Sequence, residues 1–328
     1  MNFWHYGFLS FGIALTLAGC GSAIHPSGPS PHFGQPQSMA APRPMPTSPS
    51  LVWEPGVGVT PCVRLIDQAL TGIDLNAYPI DNPAILTALR QAGQRGVPIH
   101  VLLAPNPYGD AGAVSTERQA LATIPHCLVR SAPPRFAAAN AYDHAKYLVI
   151  NPGTPQATAV IGTANLTDSA FDGGNLEAVA VATGAPAQAA TQVFQADWTD
   201  RPSGPGPRRA LVLSPGAAPA ITSLLRASGP IQMMTEEVGD DPALLAIMAA
   251  DGARLQLLVP PTTSTTTTAR LAALAAAGVH IRTLSTPDIH AKVIVMSTTA
   301  FLGSQNLSAV SLQDNPEMGL LFTGSAWA

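Results

Sequence analysis

The chain has 328 residues, a mass of 33.8 kDa and a net charge of -4 at pH 7, with a pI near 6.0. Only 11% of its residues are charged and 46% are apolar, with 32 Pro and 28 Gly, which excludes a disordered or fibrous chain and describes a sparsely charged globular protein with Pro-rich connections. It lacks the basic excess of proteins that grip many nucleic-acid phosphates, so a large nucleic-acid ligand is disfavoured.

The first element is an apolar run, Phe8 to Ala18, too short to span a bilayer comfortably and ending in Leu17-Ala18-Gly19-Cys20. It resembles a bacterial lipoprotein signal peptide over residues 1–20, with Cys20 as the lipidated residue after cleavage. Residues 21–50 are rich in Pro, Ser, Gly and Ala without apolar periodicity and read as an extended tether. Together these predict an exported protein, lipid-anchored in the cell envelope and facing the periplasm or exterior. Beyond Cys20 only Cys62 and Cys127 remain. In an oxidising compartment they are able to pair, and two unpaired buried thiols are the equal alternative.

The folded part contains an internal repeat. Ile73 to Tyr78 is an apolar strand, followed by Asn82-Pro83-Ala84-Ile85-Leu86, which opens a helix with Pro in its first turn. Strands follow at Ile99 to Ala104 and, after a second helical stretch, at Cys127 to Arg130. Lys146 to Ile150 and Ala157 to Ile161 then form a hairpin around the turn Asn151 to Pro155. The second half repeats this order. A strand at Ile231 to Thr235 leads to Asp241-Pro242-Ala243-Leu244-Leu245, then to strands at Leu255 to Val259 and Val279 to Arg282. A hairpin of Lys292 to Met296 with Ala300 to Leu302 closes it around Ser297 to Thr299. Thr262 to Thr268 reads as a polar loop or helix start, and Glu236, Glu237, Asp240 and Asp241 as a solvated loop whose acidic rim would attract a cationic head group. Pro202 to Arg209 is a linker. The predicted fold is α/β, with repeats at 51–200 and 210–328 joined by residues 201–209. Each repeat is a mixed central sheet flanked by helices, and the two pack together around one shared active site.

Lysine placement points to that site. The chain has only two lysines against fourteen arginines, and both stand in the same tripeptide, His144-Ala145-Lys146 and His290-Ala291-Lys292. A compact ammonium is evidently needed there, and arginine does not replace it. On a strand, residues i and i+2 share a face, so each His points with its Lys. Downstream come Gly162-Thr163-Ala164-Asn165 and Gly303-Ser304-Gln305-Asn306, then Asn175-Leu176-Glu177 and Asn315-Pro316-Glu317.

This duplicated order resembles the phospholipase D superfamily from about Pro61 to the C-terminus, and Asp197-Trp198 stands where many members carry a Trp closing the first repeat. The resemblance implies a metal-independent phosphodiesterase, with no cofactor, working through a phosphohistidine. His144 is favoured as nucleophile and His290 as general acid and then base. Lys146, Lys292, Asn165 and Asn306 would neutralise the phosphoryl oxygens, with weaker help from the hydroxyls of Thr163 and Ser304 as substrate-binding groups. Glu177 and Glu317 would fix the imidazoles. The family's motif Asp is replaced by Asn151 and Ser297. It lies off the reacting phosphorus in the family, so the change bears on stability or full activity more than on reaction class.

The expected substrate is a phospholipid, or another small phosphodiester, hydrolysed or transphosphatidylated to an alcohol by a monomer held at the membrane. A periplasmic endonuclease is the alternative within the superfamily. Its groove would gather Arg130, Arg135, Arg208, Arg209 and Arg282 around the histidines. A non-catalytic lipoprotein that binds phosphoryl ligands is the alternative outside enzymes. His100, His126 and His280, in or beside apolar strands, are expected to be structural. No ligand spacing for a metal completes around His144 and His290.

Overall fold

The computed structural model describes residues 49–105, 107, 112–136 and 141–323. The signal segment with Cys20, and the tether up to residue 48, lie outside the described residues. Among the described residues no helix is long and apolar enough to cross a membrane.

The first repeat runs β1 (Ser50–Glu54), α1 (Thr60–Asp67), β2 (Ile73–Ala77), α2 (Pro83–Gln94), β3 (Ile99–Leu103), α3 (Ala113–Ala122) and β4 (Cys127–Ser131). It continues through β5 (Tyr147–Ile150), β6 (Thr158–Gly162), α4 (Asp168–Phe171), β7 (Asn175–Thr183) and α5 (Ala185–Trp198). The second repeat follows the same plan: β8 (Val212–Ser214), α6 (Ala218–Leu225), β9 (Ile231–Met234), α7 (Pro242–Asp251), β10 (Leu255–Val259), α8 (Thr265–Ala276) and β11 (His280–Thr283). After the short β12 (Asp288–Ile289) come β13 (Val293–Val295), β14 (Thr299–Gly303), α9 (Ala309–Gln313) and β15 (Glu317–Thr323).

Each repeat builds one mixed sheet. The strand order is β1-β7-β6-β5-β2-β3-β4 in the first and β8-β15-β14-β13-β9-β10-β11 in the second, so these seven strands match one for one, and β12 of the second repeat adds an eighth strand beside β7 of the first. In both, the early strands pair in parallel and the later hairpins add antiparallel strands. The two-repeat α/β architecture expected from the sequence is therefore present.

Side-chain alternation explains how the sheets meet. Val179 and Val181 of β7 face the helices of their own repeat, whereas Ala178, Ala180 and Ala182 face a core that also holds Val293, Leu302, Met318, Leu320 and Phe322 of the second repeat. Period-two patterning with apolar residues on both faces is the signature of a doubly covered sheet. The small alanine face allows close approach of the second sheet. Ala145 and Ala291, the middle residues of the two His-Ala-Lys tripeptides, belong to this shared core. Each motif thus points its Ala into the packing and its His and Lys the other way.

The repeated Asn/Asp-Pro pairs are helix starts. Asn82 Oδ1 accepts from Ala84 N and Ile85 N at 3.0 and 3.1 Å, and Asp241 Oδ1 accepts from Ala243 N and Leu244 N at 3.0 Å. These caps satisfy backbone N–H groups that the first helical turn leaves free. They also pin the loops that leave β2 and β9 toward the site. The Thr-rich stretch resolves as the start of α8, where Ser264 accepts from Thr267 N. Cys62 and Cys127 are free thiols, and burial pushes them up to about 12 and about 11.

Candidate active site

The His-Ala-Lys tripeptides do not lie on strands, as the sequence suggested, but in the extended segments leading into β5 and β13. The reason is that each motif leaves its own sheet and bonds to the other repeat. His144 N donates to Pro316 O at 3.0 Å, and His290 N donates to Leu176 O at 3.1 Å. Upstream of His290, β12 pairs in parallel with the start of β7, Asp288 opposite Asn175 and Ile289 opposite Leu176.

This exchange crosses the carboxylates as well as the backbone. Nδ1 of His144 lies 3.0 Å from Oε2 of Glu317, and Nδ1 of His290 lies 2.7 Å from Oε1 of Glu177, a shorter but less well aligned contact. Each imidazole is therefore held by the glutamate of the opposite repeat. A carboxylate at Nδ1 takes the N–H and leaves Nε2 as the reactive nitrogen.

The carboxylates have their own supports. Thr163 Oγ1 donates to Glu177 Oε2 and accepts from Ala178 N, the latter at 2.9 Å; Asn175 Nδ2 donates to Glu177 Oε1 at 3.2 Å. Ser311 Oγ donates to Glu317 Oε1 at 2.6 Å and accepts from Asn306 N at 2.8 Å. Ser304 Oγ accepts from Met318 N at 3.2 Å. Thr163 and Ser304, expected to reach the substrate, are fully buried behind the glutamates, so their hydroxyls position those elements instead. The glycine before each is required by close approach. A Cβ on Gly162 would lie 2.4 Å from Ala178 O, and one on Gly303 would lie 2.7 Å from the Cα of Gly319. Burial opposes ionisation of Glu177 and Glu317, yet both are held below the usual carboxylate range, chiefly through their contacts with His290 and His144, with the lysine charges adding to the effect.

The lysines are nearly sealed. Lys146 is 4% and Lys292 2% exposed. Each ammonium folds back on the carbonyl of its own motif histidine, at 2.7 Å for Lys146 and 2.6 Å for Lys292. Their second partners differ. Lys146 Nζ sits 4.7 Å from the centroid of Tyr78, a cation–π contact. Lys292 Nζ is 2.6 Å from Oε2 of Glu236, and the same oxygen is 3.6 Å from Nε2 of His290. Burial lowers Lys146 to about 7, against the opposing pull of Glu317.

Tyr78 and Tyr142 also wall His144 with edge contacts, at centroid distances of 4.8 and 5.7 Å. Burial lowers His144 to about 4, with Glu317 opposing, so this ring is neutral at ordinary pH. Asn165 and Asn306 are half-buried, and the Oδ1 atom of each has no hydrogen-bond partner among the described residues. The sequence motifs did not single out Tyr78, Tyr142 or, as a site group, Glu236, which read as part of a solvated loop. The fold supplies the signal that the sequence repeat does not, because aligning Asn82-Pro83 with Asp241-Pro242 sets Tyr78 against Glu237. The bridges Ile80–Leu166 and Val238–Leu307 are equivalent, which places Tyr78 and Glu236 at matching positions.

The remaining residues resolve as structure. Asn151 Oδ1 accepts from Leu70 N at 2.8 Å and Thr71 N at 3.0 Å, so it caps the loop before β2. An acceptor oxygen is what that place needs, and Asn supplies one. Ser297 is exposed in the β13–β14 turn. His100 contacts Asp74 at 3.1 Å and Trp198 at 4.9 Å. Arg130 bonds to Trp198 O at 2.8 Å, Arg135 pairs with Asp197 and Asp200, and Arg208 holds Leu213 O and Pro215 O.

The family model described as cardiolipin synthase, PLD-like domain, matches residues 62–198 and 221–328. No curated protein sequence matches the chain. Among solved structures, phosphatidylserine synthase from Haemophilus influenzae Rd KW20 is similar with a TM-score of 0.64 at 13% identity, over 85% of this chain and 83% of that one. Polyphosphate kinase from Porphyromonas gingivalis gives a TM-score of 0.59 at 16% identity over 84% of this chain, which spans about half of the kinase, 47%. Nuc from Salmonella typhimurium, a phospholipase D family member, is 23% identical over 47% of this chain and 93% of its own, with a TM-score of 0.38.

Proposed function

Because the chain belongs to the phospholipase D superfamily, with a PLD-like domain of the cardiolipin synthase type, we propose that it is a metal-independent phosphodiesterase acting on phospholipids. The observation that carries this reading is the reciprocal pairing of His144 with Glu317 and His290 with Glu177, which ties each motif histidine to the opposite repeat and supports one shared site. His144, neutral through burial, attacks phosphorus through Nε2 and forms a P–N bond. His290, flanked by Glu177 and Glu236, gives its proton to the leaving alkoxide as the P–O bond breaks. It then takes a proton from water, or from an acceptor alcohol, as the P–N bond is cleaved. The product is a phosphomonoester in hydrolysis and a new diester in transfer. Lys146, Lys292, Asn165 and Asn306 neutralise the non-bridging oxygens.

Two features support a lipid over a nucleic acid. The net charge is -4, and Arg130 and Arg135 are engaged within the first repeat while Arg208 of the linker holds carbonyls of the second. The apolar segment ending at Cys20 and the tether behind it add a lipid anchor to this proposal, which would keep the enzyme at an envelope membrane. The test is head-group release from phosphatidylcholine and phosphatidylethanolamine vesicles in EDTA, by the fragment from about Leu51 and its His144→Ala variant. Release that persists in chelator and vanishes in the variant is expected. Chelator-sensitive release would overturn metal independence, and cleavage of single-stranded DNA in place of lipid would overturn the substrate.

A further inference from the structure

A carboxylate oxygen already occupies a position where a substrate oxygen belongs. Oε2 of Glu236 is 2.6 Å from Lys292 Nζ and 3.6 Å from His290 Nε2. These are the groups that the phosphodiesterase reading assigns to a phosphoryl oxygen and to the leaving oxygen. Glu236 therefore holds one of the three ammonium hydrogens of Lys292 and sets a negative charge beside the phosphoryl position, so a phosphoryl group that reaches Lys292 must push the carboxylate aside or lie against it.

The backbone around Glu236 is fixed. Thr235 N donates to Leu258 O at 3.2 Å, Val238 bridges Leu307, and Gly239 N donates to Leu307 O at 2.9 Å. Its side chain is the movable part, 37% exposed, against 2% for that of Lys292. After displacement the carboxylate therefore stays within a side chain's reach of the phosphoryl group. The matching position in the first repeat is Tyr78, whose ring covers Lys146 without any charge. Glu236 is thus an added negative charge in one half-site only.

Resting on that phosphodiesterase reading, we infer that Glu236 is a specificity-determining residue that admits a phosphodiester monoanion and rejects a phosphomonoester dianion. A diester brings a single negative charge against the nearby carboxylate, which Lys292 offsets. A phosphomonoester has a second pKa of about 6 and brings an extra charge at pH 7, which the displaced carboxylate repels. The monoester is also the hydrolysis product, so the same carboxylate speeds product departure by returning to Lys292.

The test is isothermal titration of the full chain with methyl phosphate and with dimethyl phosphate at pH 7, using wild type, Glu236→Gln and Glu237→Gln. Gln keeps the shape and an acceptor oxygen while removing the charge. In E236Q the preference for methyl over dimethyl phosphate should rise roughly tenfold, and in E237Q it should stay as in wild type. An unchanged preference in E236Q, an equal shift in E237Q, loss of both ligands in E236Q, or no binding in any form would each overturn the inference. Binding needs no turnover, so a protein that shows the predicted shift but never cleaves phospholipid would contradict the function and leave the role of Glu236 standing.

Discussion

The two halves of the site share a plan and differ in charge. In the first, His144 and Lys146 are buried under Tyr78 and Tyr142, and among the described residues the ammonium touches an aromatic face and a carbonyl. In the second, His290 and Lys292 sit against Glu236 as well as the crossed glutamate. Burial without an added carboxylate makes a neutral imidazole and a weakly held ammonium, which suits nucleophilic attack. Burial with one makes a half-site that handles protons. The sequence holds two equivalent motifs, and at one matching position, after β2 and after β9, Tyr78 stands against Glu236 and makes the two half-sites unequal in charge.

The comparison breaks most severely at the histidines. His144→Ala should lower turnover by roughly 10³-fold or more with every substrate. His290→Ala should lose as much with phospholipid, yet keep a burst of 4-nitrophenolate from bis(4-nitrophenyl) phosphate, a leaving group that needs no proton. Bursts in both variants, or in neither, would mean that the halves are interchangeable. Next in size, Glu317→Gln and Glu177→Gln should each cost roughly 10²- to 10³-fold in kcat, because the tautomer and orientation of the opposite repeat's histidine are lost. The burst with the activated diester should fall in Glu317→Gln and survive in Glu177→Gln.

The pH profile sharpens the contrast. Since His144 must be neutral and Lys146 charged, kcat/KM should rise through about 4 and fall through about 7. The smallest effect concerns stability. Lys146 titrates near 7 when folded against 10.5 when unfolded, so the unfolded chain binds more protons in that window and stability climbs as pH rises through it. Lys146→Met should stabilise the protein by roughly 1–3 kcal/mol at pH 7 and flatten that slope, in thermal melts, while abolishing activity. Lys292→Met strands Glu236 and should not stabilise.

The sequence shows what is local and repeated. The His-Ala-Lys tripeptides, the Gly-[Thr/Ser]-x-Asn segments, the Asn-x-Glu segments and the helix starts at Asn82 and Asp241 are each complete within a few residues and recur in the same order, so they carry the fold class and the identity of the groups. What it leaves out is long-range. The pairing of His144 with Glu317 joins residues 173 positions apart, and nothing in either segment states that the motif bonds across the repeats. The same holds for Thr163, whose hydroxyl turns to Glu177 because Gly162 lets β7 approach. Asn151 shows the converse. A departure from the family's Asp keeps its purpose, since a carboxamide oxygen accepts the same kind of backbone bonds. Glu236 was hidden among four acidic residues of one loop. Only superposing the two repeats sets it apart.

A single active centre in which His144 carries the covalent intermediate and His290 serves it can be trapped by rapid quenching of the reaction with bis(4-nitrophenyl) phosphate into alkali, followed by peptide mass mapping of the adduct. A phosphoryl adduct on His144 that persists in His290→Ala is the expected result. An adduct on His290, or turnover without any histidine adduct, would contradict it.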